Sequence, residues 1–252
     1  MLVVPYLSTE KIDEILSSGV SCIDLCGNGG VVAAGLFQVY RTGLPNKYPT
    51  KSSIRYAFRG DSSLVTRSFL LQPSYTSVSD IQKFVASRGG SVVMSTVSKV
   101  LKRLEEELYI DRSHKRSIRL IEPEALLTEL QNEYRPAKVE DTWLGKVDIS
   151  QEELVTELSR ISKEGDIVRT GINSADNYIT FAGENIVECY TQSSIKQVLN
   201  SLQTDARETK SFPNLRFIET GDQRVFFDAQ PNLMASPLQT WLEMTSGDKR
   251  SI

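Results

Sequence analysis

The clearest pattern of apolar and polar positions lies between residues 77 and 108, where it has the period of an α-helix. The run VSDIQKFVASR follows two candidate N-caps, Ser77 and Ser79, and stops at the glycines of positions 89–90. A second helix is expected from Val93 to Glu107. Its apolar positions follow helical spacing and predict one buried face: Val93, Val97, Val100, Leu101, Leu104 and Leu108.

The neighbouring segments complete an order of elements that is typical of one domain type. Asp61 is a candidate N-cap for the helix SSLVTRSFLLQ, which Pro73 ends. After the second helix, LYIDRSHKRSIRLIE predicts a hairpin with a polar, basic tip, and Pro123 starts another helix. This order predicts a winged helix-turn-helix, whose usual ligand is double-stranded DNA.

Mixed α/β parts are expected on both sides of that domain, so the predicted fold class is α+β. Residues 1–46 suggest a strand, a helix and two extended runs separated by the turn GNGG. Residues 136–150 contain a proline and mixed charges and predict a linker. Helices and strands then alternate from 151 to 252. The winged helix-turn-helix is therefore assigned to residues 47–135.

Charge and composition limit the classes of partner. The net charge is −3 and the pI is near 5.4, which argue against a basic coat that binds nucleic acid without specificity. They do not exclude DNA binding, because the local electrostatic field decides it. The hydrophobic fraction of 40% and the charged fraction of 24% are ordinary for a globular protein, so no fibrous or disordered class is favoured.

Cysteine and histidine usage points to a reducing compartment and away from zinc. The chain has three cysteines, an odd number that predicts free intracellular thiols, and a single histidine. No apolar run approaches the roughly 20 residues that span a bilayer, and the start of the chain lacks a basic region and a cleavage site of a signal peptide. We expect a cytoplasmic protein without membrane partners, cofactor or metal.

The residues expected to contact DNA are polar or basic and lie on the second helix, on the hairpin tip and on the preceding segment. A helix fits the major groove, where such side chains reach base edges and phosphates. The candidates are Ser95, Thr96, Ser98, Lys99, Lys102, Arg103, Arg112, His114, Lys115, Arg116, Arg67, Arg59 and Arg55.

A family resemblance follows from these segments. TRSFLLQPSYTSVSDIQKFVASRGGSVVMSTVSKVLKRLEEELYI, followed by IRLIEPEALLTEL, resembles the winged-helix segment of AbiEi-type antitoxins, the transcriptional regulators of type IV toxin–antitoxin systems. VVPYLSTEKIDEILSSGVSCIDLCGNGGVVAAGLFQVYRTG resembles the first domain of that family, and ASPLQTWLEMTSGDKR its closing segment. The resemblance implies a repressor of its own operator that acts beside a nucleotidyltransferase-like toxin.

Two departures from the family pattern stand in the sequence. Val93 precedes the second helix, where the family often has serine or another capping residue. The chain also begins at the VVPYL strand, which predicts a first domain shorter than the usual one.

Two alternatives to a DNA-binding regulator remain: a metal-dependent nuclease that uses the first part, and an adaptor whose winged helix binds protein. Asp24, followed by Gln38 and Tyr40, faintly resembles the metal-binding pattern of restriction-type nucleases, but Tyr40 stands where that pattern requires lysine. The preferred interpretation is therefore a degenerate nuclease fold, in which Asp24 and Asn28 organise the turn. The last part resembles a nucleotidyltransferase scaffold around Gly171, without the paired acids that catalysis needs. We therefore expect no enzyme.

Overall fold

The computed structural model of the protein describes residues 1–33, 37–45, 47, 55–112, 116–162, 165–179 and 186–246. The chain divides into two compact units, Met1–Ile54 and Arg55–Ile252. Helices and antiparallel or mixed sheets occur in both units, so the predicted α+β class is confirmed.

The first unit is a small sheet with one helix. Its elements in chain order are β1 (Leu2–Val4), α1 (Thr9–Ser17), β2 (Cys22–Asp24), β3 (Gly29–Ala33) and β4 (Phe37–Arg41). The strands lie in the sheet in the order β1-β2-β3-β4. β1 and β2 are parallel, and α1 connects them, as a parallel pair requires a crossover; the other pairs are antiparallel.

Short-range sequence signals explain the boundaries and the buried face of α1. The Ser8 hydroxyl caps the helix by accepting a hydrogen bond from a backbone N–H of the first turn. Ile12 and Leu16 are buried and form the small core of this unit against β2. Leu16 packs so closely on Gly30 that a Cβ there would lie 2.4 Å from its Cδ1, so a side chain at position 30 would require Leu16 to shift.

The first half of the second unit is mainly helical. Its helices are α2 (Arg55–Phe58), α3 (Ser63–Leu71), α4 (Val78–Ser87), α5 (Met94–Glu106) and α6 (Pro123–Glu133). Its strands are β5 (Ser74–Tyr75), β6 (Ile110–Asp111) and β7 (Ile118–Leu120), which form an antiparallel sheet in the order β5-β7-β6.

Local signals explain most of these boundaries. Ser77, one of the two predicted candidates, caps α4 through its hydroxyl, and Pro123 is the first residue of α6. Asp61 does not cap α3 as expected. It lies within the 3₁₀ turn Gly60–Ser62, and α3 begins at Ser63 without a side-chain cap.

The second half of the unit surrounds a mixed sheet. Its elements are β8 (Asp141–Val147), α7 (Gln151–Ile161), β9 (Ile167–Arg169), α8 (Gly171–Ser174), β10 (Val187–Thr191), α9 (Ile195–Ser201), β11 (Ala206–Glu208), β12 (Leu215–Glu219) and α10 (Pro237–Ser246). The strand order is β11-β8-β12-β10-β9. Only the β10–β12 pair is parallel in this sheet among the described residues.

The predicted linker at 136–150 is wrong. Residues 141–147 of that range form β8, which lies between β11 and β12, and Val147 is fully buried. The first four residues of the strand are exposed or half-buried, so its sequence, DTWLGKV, combines polar and apolar residues as an exposed segment would.

Both faces of the five-stranded sheet are covered over at least part of their area. Leu158 of α7 and Val198 of α9 pack with Phe217 on one face. On the other face, Ile218 packs with Phe226 from the segment between β12 and α10. That segment continues toward α4 and α5 and so connects the sheet to the helical half.

In the described part of the chain, no helix has both the length and the apolar character needed to cross a membrane.

Candidate nucleic-acid interface

The candidate interface is built on the buried side of α5. Val97, Val100, Leu101 and Leu104 are fully buried, and α5 packs with α3 and α4. These four residues recur at helical spacing, so one stripe of α5 is anchored in the core. Val93, which the sequence placed on the same face, is exposed instead because it precedes the first helical residue.

The opposite side of α5 is polar and faces solvent. Ser95, Ser98, Lys99 and Lys102 are exposed, and Thr96 is half-buried. A helix places residues three and four positions apart on one side, so the serines and lysines follow a single line along α5. The first turn contains no acidic residue. The start of α5 therefore presents hydroxyl and ammonium groups without an acidic residue in the first turn.

Acidic side chains neutralise the positive charges on the later half of α5. The Glu106 carboxylate lies 2.5 Å from Arg103 Nη1 and 3.9 Å from Lys102 Nζ. Lys99 forms no ion pair within the described residues. Pairs this exposed stabilise a protein by only about 0–1 kcal/mol, so a phosphate can replace the carboxylate at low cost. The uncompensated positive charge of α5 is therefore that of Lys99.

The hairpin after α5 has the predicted antiparallel strands, β6 and β7. Arg112 and Arg116 are exposed at the two ends of its loop, and Arg112 Nη1 lies 3.2 Å from a carboxylate oxygen of Glu105. His114 and Lys115, both predicted to contact DNA, lie outside the described residues. The hairpin thus supplies two exposed guanidinium groups, one of them paired with α5.

The three arginines predicted upstream of α4 have different environments. Arg55 begins α2, and its side chain is outside the described part of the structure. Arg59 is half-buried, and its Nε donates a hydrogen bond of 2.7 Å to Glu133 at the end of α6.

The prediction that Arg67 contacts DNA is wrong. The side chain is 1% exposed, because α3 is enclosed by other helices over nearly its whole length. Its Nη1 donates hydrogen bonds to the Arg224 carbonyl (3.1 Å) and to Gln239 Oε1 (2.8 Å). The guanidinium is held inside the unit and cannot reach a phosphate.

Arg67 belongs to a buried polar network between α3 and α10. The Gln239 amide accepts the bond from Arg67 and donates to the Tyr134 hydroxyl (3.0 Å) and to Glu243 Oε1 (2.6 Å). Glu243 Oε2 accepts from the Gly171 backbone N–H at 2.6 Å. Burial lowers the pKa of Arg67 to about 10 and raises the pKa of Glu243 above its usual value. Gln239 therefore connects two opposite charges that do not touch.

The turn between α4 and α5 is held by residues 222–230, which we call the C-terminal brace. The Gln223 side chain accepts from Ser91 N (2.6 Å) and donates to Ser91 O (3.1 Å). Asp228 forms an ion pair with the Arg88 guanidinium, and its backbone N–H donates to the Arg88 carbonyl at 2.8 Å. These contacts fix the direction in which α5 leaves the turn.

The brace could not be predicted from the sequence, because the residues that it joins are 132 and 140 positions apart along the chain. One available signal was the glycine pair. A Cβ at Gly90 would lie 2.8 Å from Val85 Cγ1 and 3.1 Å from Phe227 Cδ2. Gly90 thus leaves room for the close approach of Val85 on α4 and Phe227 of the brace.

Asp24, the candidate of the nuclease alternative, holds a turn. Its Oδ1 accepts from the backbone N–H groups of Cys26 (2.9 Å) and Asn28 (2.7 Å), and its Oδ2 accepts from Leu7 N and Asn28 Nδ2, both at 2.9 Å. Burial opposes ionisation, but these hydrogen bonds outweigh it and keep the pKa of Asp24 below its usual value. The predicted role of Asp24 and Asn28 in organising the turn is confirmed. Tyr40 donates to Asp13 at 2.8 Å.

The residues in which the last part resembles a nucleotidyltransferase scaffold also form hydrogen bonds or ion pairs with neighbouring residues. The Gly171 N–H is bound by Glu243, and Glu188 on β10 lies 3.1 Å from Arg216 of the adjacent strand. Across the ranges that the structure describes, no group of three or more histidine, cysteine, aspartate or glutamate side chains could hold a metal ion.

Comparison with known proteins gives no relative. No protein family model, no curated protein and no solved structure matches the chain. A functional proposal therefore depends on the residues of the chain itself.

Proposed function

We propose that residues 55–135 form a winged helix-turn-helix and that the protein is a sequence-specific DNA-binding transcriptional regulator. In this proposal α4 and α5 are the helix-turn-helix, and the β6–β7 hairpin is the wing. The observation that supports it best is the side of α5 opposite its buried stripe. There Ser95, Ser98 and Lys99 are exposed on the first two turns, without an acidic neighbour on those turns.

The proposed contacts follow from the distribution of charge along α5. The start of the helix enters the major groove, where the serine hydroxyls bind base edges and Lys99 binds a phosphate or a guanine. Lys102 and Arg103 exchange their ion pairs with Glu106 for phosphates. The acidic end of α5, residues 105–107, is repelled by the duplex and therefore leaves the groove. Arg112 and Arg116 of the hairpin contact the backbone on one side.

The C-terminal brace has a role in this proposal. It ties the turn before α5 to the five-stranded sheet through Gln223 and Asp228. A helix whose direction is fixed before binding loses less conformational freedom in the complex. The brace therefore favours affinity without itself touching DNA.

The biological role is proposed from the family resemblance alone. The protein would repress transcription from its own operator in the cytoplasm, without catalysis, and a nucleotidyltransferase-like toxin would be its protein partner. A non-DNA adaptor remains the alternative that the binding experiment must separate from this role.

The test is DNA binding as a function of salt. Full-length protein is titrated against a fluorescent duplex of the region upstream of its own gene, and against a scrambled duplex, between about 50 and 200 mM KCl. We expect tighter binding to the upstream duplex and a log–log salt dependence with a slope of about −0.9 per phosphate contact. Lys99→Ala should reduce the magnitude of that slope by about 0.9, because the uncompensated ammonium group of α5 is lost.

Lys196→Ala is the matched control, since Lys196 is an exposed helical lysine on α9, in the second half of the unit. Its slope should equal that of the wild type. Absence of binding to both duplexes at the lowest salt would reject the DNA function in favour of the adaptor. An equal effect of the two lysine variants would reject α5 as the contact surface.

A further inference from the structure

The start of α5 carries two apolar side chains that face water. Val93 is 62% exposed and Met94 is 48% exposed, whereas the apolar stripe of the helix is buried from Val97 onward. Val93 occupies the N-cap position, and no side chain caps the helix. Serine, threonine, aspartate or asparagine at that position would stabilise α5, so valine there serves neither the cap nor the core.

These two side chains directly precede the polar stripe on α5. Ser95 and Ser98 follow them on the same end of the helix and are also exposed. The backbone before Val93 is fixed, because the Val92 carbonyl accepts a 2.9 Å hydrogen bond from Gln82 Nε2. Any partner that the serines approach must therefore also meet the valine and methionine.

We propose that Val93 and Met94 bind the C5-methyl group of thymine in the major groove, so that preferred operators contain thymine where α5 begins. This inference rests on the proposed DNA-binding function. The thymine methyl is the apolar group that base pairs display in the major groove, beside hydrogen-bond donors and acceptors that hydrocarbon side chains cannot engage. Methionine is flexible and polarizable, which suits contact with a methyl group of variable position.

The test removes the methyl group and nothing else. A duplex is selected for binding from a pool with a randomised central region, and each thymine is then replaced singly by deoxyuridine. Affinity is measured by fluorescence anisotropy with the full-length protein. At each contacted position we expect about fourfold weaker binding, the loss that corresponds to one methyl group leaving an apolar contact.

Two variants assign the effect to the side chains. In Met94→Ala and in Val93→Ser, the ratio of uracil to thymine dissociation constants should fall toward one at the positions that each residue contacts. Val93→Ser introduces a favourable N-cap, so loss of helix does not explain its result. Val139→Ser is the matched control, because Val139 is 53% exposed and lies outside α4, α5 and the hairpin; it should keep the wild-type ratio.

The outcomes separate the two proposals. Binding with equal affinity for thymine and uracil duplexes, or a methyl preference that both variants retain, overturns the contact proposed here and leaves DNA binding intact. Failure to select any duplex rejects the DNA function itself, and this inference with it.

Discussion

Replacing Gln239 by methionine tests whether the buried network holds α3 and α10 together. The two side chains have similar volumes, so the change removes the amide while leaving little cavity. Gln239 is 1% exposed and makes three side-chain hydrogen bonds, to Arg67, Tyr134 and Glu243. Water cannot replace those partners without opening the core.

The expected cost follows from these bonds. A hydrogen bond to a charged group stabilises a fold by about 1.5–3 kcal/mol, and a neutral one by about 0.5–1.5 kcal/mol. Gln239 makes two of the first kind and one of the second, but Arg67 keeps its bond to the Arg224 carbonyl and Glu243 keeps that from Gly171. We expect the free energy of unfolding of the second unit to fall by about 3–5 kcal/mol. This is the range observed when a buried charged group loses one of its polar partners.

Urea unfolding followed by tryptophan fluorescence measures this loss, because both tryptophans of the chain, Trp143 and Trp241, lie in the second unit. The loss should also depend on pH. The folded state binds the Glu243 proton more tightly than the unfolded chain, so this group lowers stability as pH rises above 4.5. Losing the Gln239 donor raises the Glu243 pKa further, and the deficit should be larger at about pH 8 than at about pH 5.

Gln197→Met is the matched control, since Gln197 is an exposed helical glutamine on α9. It should change stability by less than about 0.5 kcal/mol. If Gln239→Met is as stable as this control, the amide does not connect the two charges. If the loss of unfolding free energy in Gln239→Met is the same at both pH values, Glu243 is not the group that makes this loss depend on pH.

Two further predictions concern single carboxylates. Glu106→Gln should tighten DNA binding, because Lys102 and Arg103 then reach their phosphates without first breaking the ion pairs with Glu106; weaker binding in an anisotropy titration would contradict the proposed helix orientation. Asp24→Ala should destabilise the first unit by about 2–3 kcal/mol, measured by amide hydrogen exchange of Leu7 and Asn28, because three buried backbone N–H groups lose their acceptor. Hydrogen bonds keep the Asp24 pKa below 3.8, so its contribution is present above that pH and lost below it; a variant with the same acid sensitivity as the wild type would refute this role.

Local signals were sufficient for most helix boundaries in the helical half of the second unit, although not for the cap of α3. Ser77, the glycine break and Pro123 mark boundaries through caps and backbone conformation, which depend on a few neighbouring residues. The prediction of a buried face failed at Val93, because the helical spacing of apolar residues begins one residue before the helix does. A periodic pattern identifies a face but not the residue at which the face stops.

Non-local packing explains the larger differences. Arg67 looks like a surface residue in sequence, and its partners Arg224 and Gln239 are 157 and 172 residues away. β8 is stabilised by strands that follow it by about 60 residues or more, so its seven residues carry no local sign of their neighbours. For the same reason the contact candidates on α5 could be chosen by pattern, whereas the brace that positions them could not.

The brace lies far along the chain from the turn that it supports, and this separation has a consequence for protein synthesis. When a nascent chain has emerged only as far as α6, the helices lack their contacts with Gln223, Phe227 and Gln239, and Phe227 no longer covers Gly90. A product that terminates early therefore lacks the contacts that orient α5. Emergence of residues 222–230 from the ribosome thus becomes the step at which α5 acquires its final direction.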